Sequence, residues 1–167
     1  NADLARSILA PVIPSGTPLR IVVDDGWQQA WGRWEPNEKF PNGLDGLATQ
    51  LHGSGFEVGV WLAPLLVHES EALITDHPDW FVDGAVYNHA ANGPMRVLDV
   101  THPGARAHLT AALEQIVSWG YDFLKIDFLF VGAWRGTRHE AMTGIQAYRL
   151  AMKTIREAVG KDVALLA

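Results

Sequence analysis

The chain has 167 residues, 48 % hydrophobic and 19 % charged, which is enough for about one globular domain around one core. A net charge of −6 without a basic cluster argues against nucleic acid or an anionic membrane as partner. The absence of Cys excludes disulfides and thiolate metal sites.

Leu4, Ile8, Leu9 and Val12 mark a short helix, with Pro11 and Pro14 near its end. A strand, LRIVVDD, follows from Leu19. GWQQAWGRWEPNEKFPNG reads as a long polar and aromatic loop. Leu44, Leu47 and Leu51 define a second helix, stopped by Gly53 and Gly55. FEVGVWLAP, from Phe56, is a second strand, ended by Pro64. Residues 65 to about 100 read as irregular, apart from a short strand at MRVLDV, and so long a loop points to function. Thr101 and Pro103 open a third helix, with the stripe Leu109, Leu113, Ile116 and Val117, and Gly120 ends it. YDFLKIDF is the third strand. Met142, Ile145, Met152, Ile155 and Val159 form a fourth helical stripe, and DVALLA is the fourth strand. No Asn-Gly turn joins two adjacent strands in this reading; Asn42-Gly43 and Asn92-Gly93 fall in loops.

Helix–strand alternation of this kind implies an α/β fold with a parallel sheet. Two architectures fit: part of a (β/α)₈ barrel, or a small doubly wound sheet. No GxGxxG or P-loop is present, which disfavours nucleotide-binding forms of the second. A full barrel needs about 250 residues, and this chain has four helix–strand units where a barrel has eight.

YDFLKIDF carries the sharpest signal. Side chains alternate along a strand, so Lys125 and Asp127 share one face and Leu124, Ile126 and Phe128 take the other. An apolar strand therefore ends in an ion pair, at the C-terminal end where parallel folds place their ligands. Two other strand ends are polar or aromatic: Asp24, Asp25 and Trp27 after the first, and Trp61 in the second. Singly, each has a structural reading: a turn for Asp24-Asp25, a core aromatic for Trp61, an ion pair for Lys125 and Asp127. Together they fall at equivalent positions on successive strands. Carboxylates suit a polyol, accepting from its hydroxyls. A carboxylate beside Lys stays ionised, as a nucleophile at an anomeric carbon must. Seven Trp in 167 residues, several beside Asp, Gly or Pro, fit either ring stacking on a sugar or plain packing.

VVDDGWQ, KFPNGLDGLATQLHGSGFEVGVWLAP, HPDW, LDVTHP and WGYDFLKIDF, in that order, resemble the α-galactosidases of glycoside hydrolase family 36 over nearly the whole chain. The resemblance implies a single partial TIM-type barrel domain over 1–167, a half-barrel holding the second to fifth strands. It implies a retaining hydrolysis of terminal α-galactosides, with Asp127 as nucleophile and Lys125 contacting sugar hydroxyls. Asp24 and Asp25 would bind the far hydroxyls, Trp61 would line the pocket, and Trp27 would be a further pocket residue. Asp99 and His102 match a family motif and are read as support for their loop. The family's first strand and its general acid/base Asp are expected outside these residues. The chain is thus expected to be a piece, with little activity by itself.

Two rivals accompany this reading. One is a non-catalytic half-barrel that pairs its edge strands with a second copy as a homodimer, exposing Phe123 and Val23 on the inner face. The other is a related barrel hydrolase acting on another α-linked sugar, such as N-acetylgalactosamine. None of the seven His falls in HExxH or another metal spacing, so no metal or other cofactor is expected. His77 reads as a turn residue and Arg138 as a minor rim contact. No apolar run spans a bilayer and no signal peptide begins the sequence, which leaves the compartment open with the cytoplasm slightly favoured.

Overall fold

A computed structural model describes residues 2–9 and 11–167. Its centre is a four-stranded parallel sheet of β1 (Arg20–Val23), β4 (Glu57–Leu62), β8 (Phe123–Ile126) and β9 (Ala164–Leu166), in the spatial order β1-β4-β8-β9. Arg20 lies opposite Glu57, Gly59 opposite Phe123, and Phe123 opposite Ala164. Each strand follows a helix: α1 (Ala2–Leu9), α2 (Gly43–Gly53), α4 (Pro103–Ser118) and α5 (Gly144–Val159). The parallel sheet and its helix–strand order are those of part of a TIM-type barrel.

Alternation along the strands decides the two faces. Val58, Val60 and Leu62 of β4 and Leu124 and Ile126 of β8 are buried on the helix side. Leu44, Ala48 and Leu51 of α2, Leu109, Leu113 and Ile116 of α4, and Ala151 and Ile155 of α5 are buried in the same core. Full burial of each large apolar side chain contributes about 1.5–3 kcal/mol. Helix ends follow local chemistry. Thr143 and Gln146 form a capping box on α5. On α4 the cap is His102, whose side chain accepts from Gly104 N, rather than the expected Thr101. Thr101 is instead buried, bonded to Asp99.

The other face is the inner, barrel-like side. It carries Val22, Gly59 and Phe123. A Cβ on Gly59 would come within 2.7 Å of the Phe123 ring and 3.0 Å of a Val22 methyl, so Gly is required there. This contact corrects the expectation for Val23: Val22 is the inward valine, and Val23 packs against the core. A one-residue change of parity exchanges the faces.

Two stretches read as loops contain sheet. β2 (Gln28–Ala30) and β3 (Arg33–Pro36) form an antiparallel hairpin turning at Trp31 and Gly32, where φ is 95°. β5 (Leu66–His68), β6 (Phe81–His89) and β7 (Gly93–Leu98) form an antiparallel sheet in the order β5-β7-β6. α3 (Ala72–Asp76) and a 3₁₀ turn at Pro78–Trp80 link β5 to β6. Asn92-Gly93, read as a loop, closes the β6–β7 hairpin, with Gly93 at φ 80°. Both small sheets follow C-terminal ends of parallel strands, β1 and β4. Among the described residues no helix is long and apolar enough to cross a membrane.

Candidate active site

The C-terminal ends of β1, β4 and β8 bring their polar groups to one edge of the sheet. Lys125 Nζ donates to Asp24 Oδ2 at 2.8 Å. The Lys125 hydrogen bond, outweighing partial desolvation, holds the Asp24 carboxyl below its ordinary range. The same bond raises Lys125 above the ordinary lysine value. Both groups are therefore charged near neutrality. Lys125 was expected to pair with Asp127 along its own strand, and it does not. Residues two apart on one strand lie about 6.6 Å apart along the chain, and the flexible Lys stem reaches Asp24 instead.

Asp127 is held by two donors. Trp61 Nε1 donates to Oδ2 at 3.2 Å, and the Phe128 N–H donates to Oδ1 at 2.8 Å. The Asp127 N–H donates to Leu62 O at 2.9 Å, extending the β4–β8 ladder by one step. Phe128 has φ 55° and ψ 26°, the left-handed region that bulky residues seldom adopt. This turn swings the chain away from the strand direct after the carboxylate and aims the Phe128 N–H at it. A strained residue beside a candidate nucleophile is a site signature. The sequence held no turn residue there to announce it.

Asp25 is fixed by the β2–β3 hairpin. Its Oδ1 accepts from Gln28 Nε2 at 2.7 Å and from Trp31 Nε1 at 3.1 Å. The Asp25 N–H in turn donates to Asp24 Oδ1 at 2.9 Å. Sequence reasoning did not single out Gln28, Trp31 or Phe128. The only trace of Trp31 was a Trp beside Gly in AWGRW. A cleft of about 480 Å³ opens beside Asp25, lined among others by Gln28, Trp31, Arg33, His68 and Asn92. A cleft of about 420 Å³ at the opposite end of β1 and β4, lined by Arg6, Thr17, Leu19 and Gly55, carries no carboxylate.

The tryptophans chiefly pack. Trp27 is fully buried, donates from Nε1 to Trp61 O at 2.8 Å, and lies 6.1 Å from both the Trp34 and Trp119 rings. It offers no surface to a ligand, contrary to its reading as a pocket residue. Trp61 is 2 % exposed, with its ring 5.1 Å from that of Trp31. It presents its N–H to Asp127 rather than a ring face to solvent.

Below this edge, Asp99 anchors the loop that follows β8. Asp99 is fully buried and accepts from Thr101 N at 3.0 Å, Thr101 Oγ1 at 2.8 Å and His139 N at 2.7 Å. Arg138, its side chain 3 % exposed, faces Asp99 at 3.5 Å and donates to Gly132 O at 3.0 Å and Trp134 O at 2.9 Å. Arg138 is thus a buried clamp, not a rim contact. His102 Nε2 meets Asp79 at 3.2 Å, and His77 stacks on Trp80 at 3.8 Å. Among the described residues no group of three or more His, Cys, Asp or Glu is placed to hold a metal ion.

The sequence profile of the family described as Melibiase matches residues 4–161. The chain belongs to the melibiase family. Within or beside that family, it is 32 % identical over 116 residues to alpha-galactosidase 2 of Pediococcus pentosaceus, covering 64 % of this chain and 16 % of that protein. It superposes on the alpha-galactosidase TtGalA of Thermus thermophilus, solved with p-nitrophenyl α-D-galactopyranoside, with a TM-score of 0.78 at 32 % identity, covering 99 % of this chain and 34 % of that one. The same enzyme solved with stachyose gives a TM-score of 0.78 at 33 % identity, covering 98 % and 35 %. The chain therefore spans about a third of the Thermus enzyme and about a sixth of the Pediococcus protein. As a melibiase-family chain it shares its fold with the glycoside hydrolase family 36 α-galactosidases.

Proposed function

We propose that this chain is the nucleophile-bearing and sugar-binding part of a retaining α-galactosidase, and that its parallel strands are the second to fifth of an eight-stranded barrel. One observation carries the reading: Asp24, Lys125 and Asp127 converge at the C-terminal ends of parallel strands, with Asp127 oriented by two donors. Asp127 attacks the anomeric carbon of a terminal α-galactoside as the bond to the leaving oxygen breaks, giving a glycosyl ester. Water then attacks that ester and releases galactose and the free carboxylate. The Trp61 and Phe128 N–H groups fix the attacking carboxylate in place. Asp24, Asp25 and Lys125 bind the distal hydroxyls, with Asp24 and Lys125 ordering each other. The proton for the leaving group comes from a second carboxylate roughly 5–5.5 Å from the first. The resemblance to glycoside hydrolase family 36 assigns Asp24 and Asp25 to binding and implies that this donor lies beyond these strands. Such proton transfer is worth about 10²–10⁴-fold, so the 167 residues alone turn over poorly.

The test is covalent trapping. A fluorinated α-galactoside that forms a slow-hydrolysing ester is incubated with the full-length protein, and peptides are mapped by mass. The label is expected on the peptide containing Asp127; a label on another carboxylate overturns the assignment. The same experiment with the N-acetylgalactosamine analogue separates the two sugars.

A second reading is favoured by the sheet edges. Among the described residues β1 and β9 each pair on one side only, and Val22 and Leu166 are 36 % and 51 % exposed. Open edges recruit further strands. In this reading the half-barrel is non-catalytic and completes its sheet with a second copy. Light scattering of the isolated 167-residue chain at micromolar concentration decides it, since a monomer ends the idea.

A further inference from the structure

Gln28 and Gln29 are consecutive and differ in burial: Gln28 is 6 % exposed, whereas Gln29 is open to solvent. Alternation along β2 turns the first inward and the second outward. Burying a primary amide is costly unless its donor and acceptor are both used. The Gln28 amide uses both within its own turn. Its Nε2 donates to Asp25 Oδ1 at 2.7 Å, and its Oε1 accepts from the Gly26 N–H at 3.2 Å. One side chain thus holds both the Asp25 carboxylate and the peptide that follows it.

Gln28 is itself held in place. Asn37 Nδ2 donates to Gly26 O at 2.9 Å and to Gln28 O at 3.0 Å, and the Asn37 N–H donates to Trp27 O at 2.8 Å. Asn37 therefore ties down three consecutive carbonyls. Gln28 lies opposite Pro36 while Ala30 lies opposite Arg33, so β3 carries an extra residue between them. Bulges of this kind re-aim side chains beside a site. Gly26, at φ 103°, makes the reversal that returns the Gln28 amide to Asp25.

The outcome for Asp25 is asymmetric. Its Oδ1 takes two donors, Gln28 Nε2 and Trp31 Nε1, while among the described residues nothing donates to Oδ2. Asp24 differs, with one donor on each oxygen: the Asp25 N–H on Oδ1 and Lys125 Nζ on Oδ2. Asp25 is exposed, so a carboxylate lacking those two donors would keep its rotamer freedom and lose it only on binding. We propose that Gln28 is a positioning residue for sugar binding: its amide fixes Asp25 through Oδ1 and so presents Oδ2 as the acceptor for a sugar hydroxyl. The position requires a donor toward Asp25 and an acceptor toward Gly26, and an amide supplies both. This rests on the α-galactosidase reading above.

The experiment reads kcat/KM for p-nitrophenyl α-galactoside in the full-length protein, with Tm for each variant. Gln28→Glu keeps the acceptor for Gly26 and replaces the donor by a carboxyl group. Two carboxyl groups that close share a proton at acid pH and repel once both are ionised. The other charged groups around the cleft, Arg33, His68 and Glu71, and the Asp24–Lys125 pair are the same in both proteins, so the variant-to-wild-type ratio at each pH isolates the new pair. That ratio is expected to be about 0.1 or lower near about pH 8 and to rise about 3-fold or more near about pH 5. Gln28→Met, uncharged and of similar length, should lose about 10-fold at both pH values. In an Asp25→Ala background either substitution should change kcat/KM by less than about 2-fold, because no carboxylate remains to be positioned. A loss that persists in that background makes Gln28 a packing residue and overturns the proposal. So does a Gln28→Glu loss that does not move with pH. Wild type that fails to cleave the substrate sinks the α-galactosidase reading and this proposal with it. Wild type that cleaves it, with the Gln28 variants equally active, sinks this proposal alone.

Discussion

Lys125 and Asp24 are joined at 2.8 Å although their strands are not neighbours. β4 lies between β1 and β8, so the bond crosses the inner face of the sheet above it. It ties together strand ends more than 100 residues apart in sequence. Its pKa consequences have opposite signs. Asp24 is held low, so its contribution to stability is present above the unfolded carboxylate value, about 3.9, and is lost as pH falls through the lowered folded value. Lys125 is held high, so its contribution is present below about 10.4 and is lost as pH rises through the raised folded value.

The expected result is a broad plateau between those limits. Asp24 and Lys125 side chains are 61 % and 34 % exposed, so a double-mutant cycle with Asp24→Asn and Lys125→Met should give a coupling of only about 0–1 kcal/mol in denaturant unfolding. A coupling several times larger would show that the pair is desolvated by surrounding chain. Activity should respond far more than stability, because both groups are assigned to sugar hydroxyls.

Asp127→Asn in the full-length protein should lower turnover of an aryl α-galactoside by more than about 10³-fold while leaving the unfolding midpoint close to wild type. An amide keeps one acceptor oxygen, for the Phe128 or the Trp61 N–H but not both, and does not form the glycosyl ester. Wild-type-like kcat in a preparation free of host galactosidase removes Asp127 from the mechanism.

Trp61→Phe keeps a ring in the buried aromatic cluster and deletes only the donor to Asp127 Oδ2. A hydrogen bond to a charged group is worth about 1.5–3 kcal/mol, so kcat should fall about 10- to 100-fold. KM should change little, since Trp61 has almost no surface for the sugar. A large rise in KM at constant kcat would mean that Trp61 acts as a pocket wall.

Arg138→Ala leaves Asp99 charged and buried without its guanidinium partner. Breaking such a pair from one side costs about 3–5 kcal/mol. Asp99→Asn costs the His139 N–H its acceptor but keeps one for Thr101, and Arg138 stays bonded to the Gly132 and Trp134 carbonyls, so it should cost less. Chemical denaturation of the full-length variants checks the order, and equal costs would refute the clamp.

Much of this protein was legible in its sequence. Leu44, Leu47 and Leu51, or Leu109, Leu113 and Ile116, repeat at helical spacing, and VGVWL and FLKI read as covered strands. The positions of Asp24, Lys125 and Asp127 at strand ends followed from alternation alone. These features are local, set by periodicity within a few residues. What the sequence left undecided is who meets whom. That Lys125 chooses Asp24 over Asp127, that Asp127 takes the Trp61 N–H, and that Asp25 is held by Trp31 all depend on sheet order and on loops returning over the strand ends. Of the β6–β7 hairpin only the second strand showed, as MRVLDV; β6 hid in a stretch with no clear period. Arg138 looked like a minor rim contact because nothing local shows Asp99 waiting, buried, 39 residues away. Trp27 looked like a pocket residue because an aromatic ring suits a core and a sugar equally, and only burial separates the two. Periodicity determined the elements; long-range packing alone decided which side chains became partners.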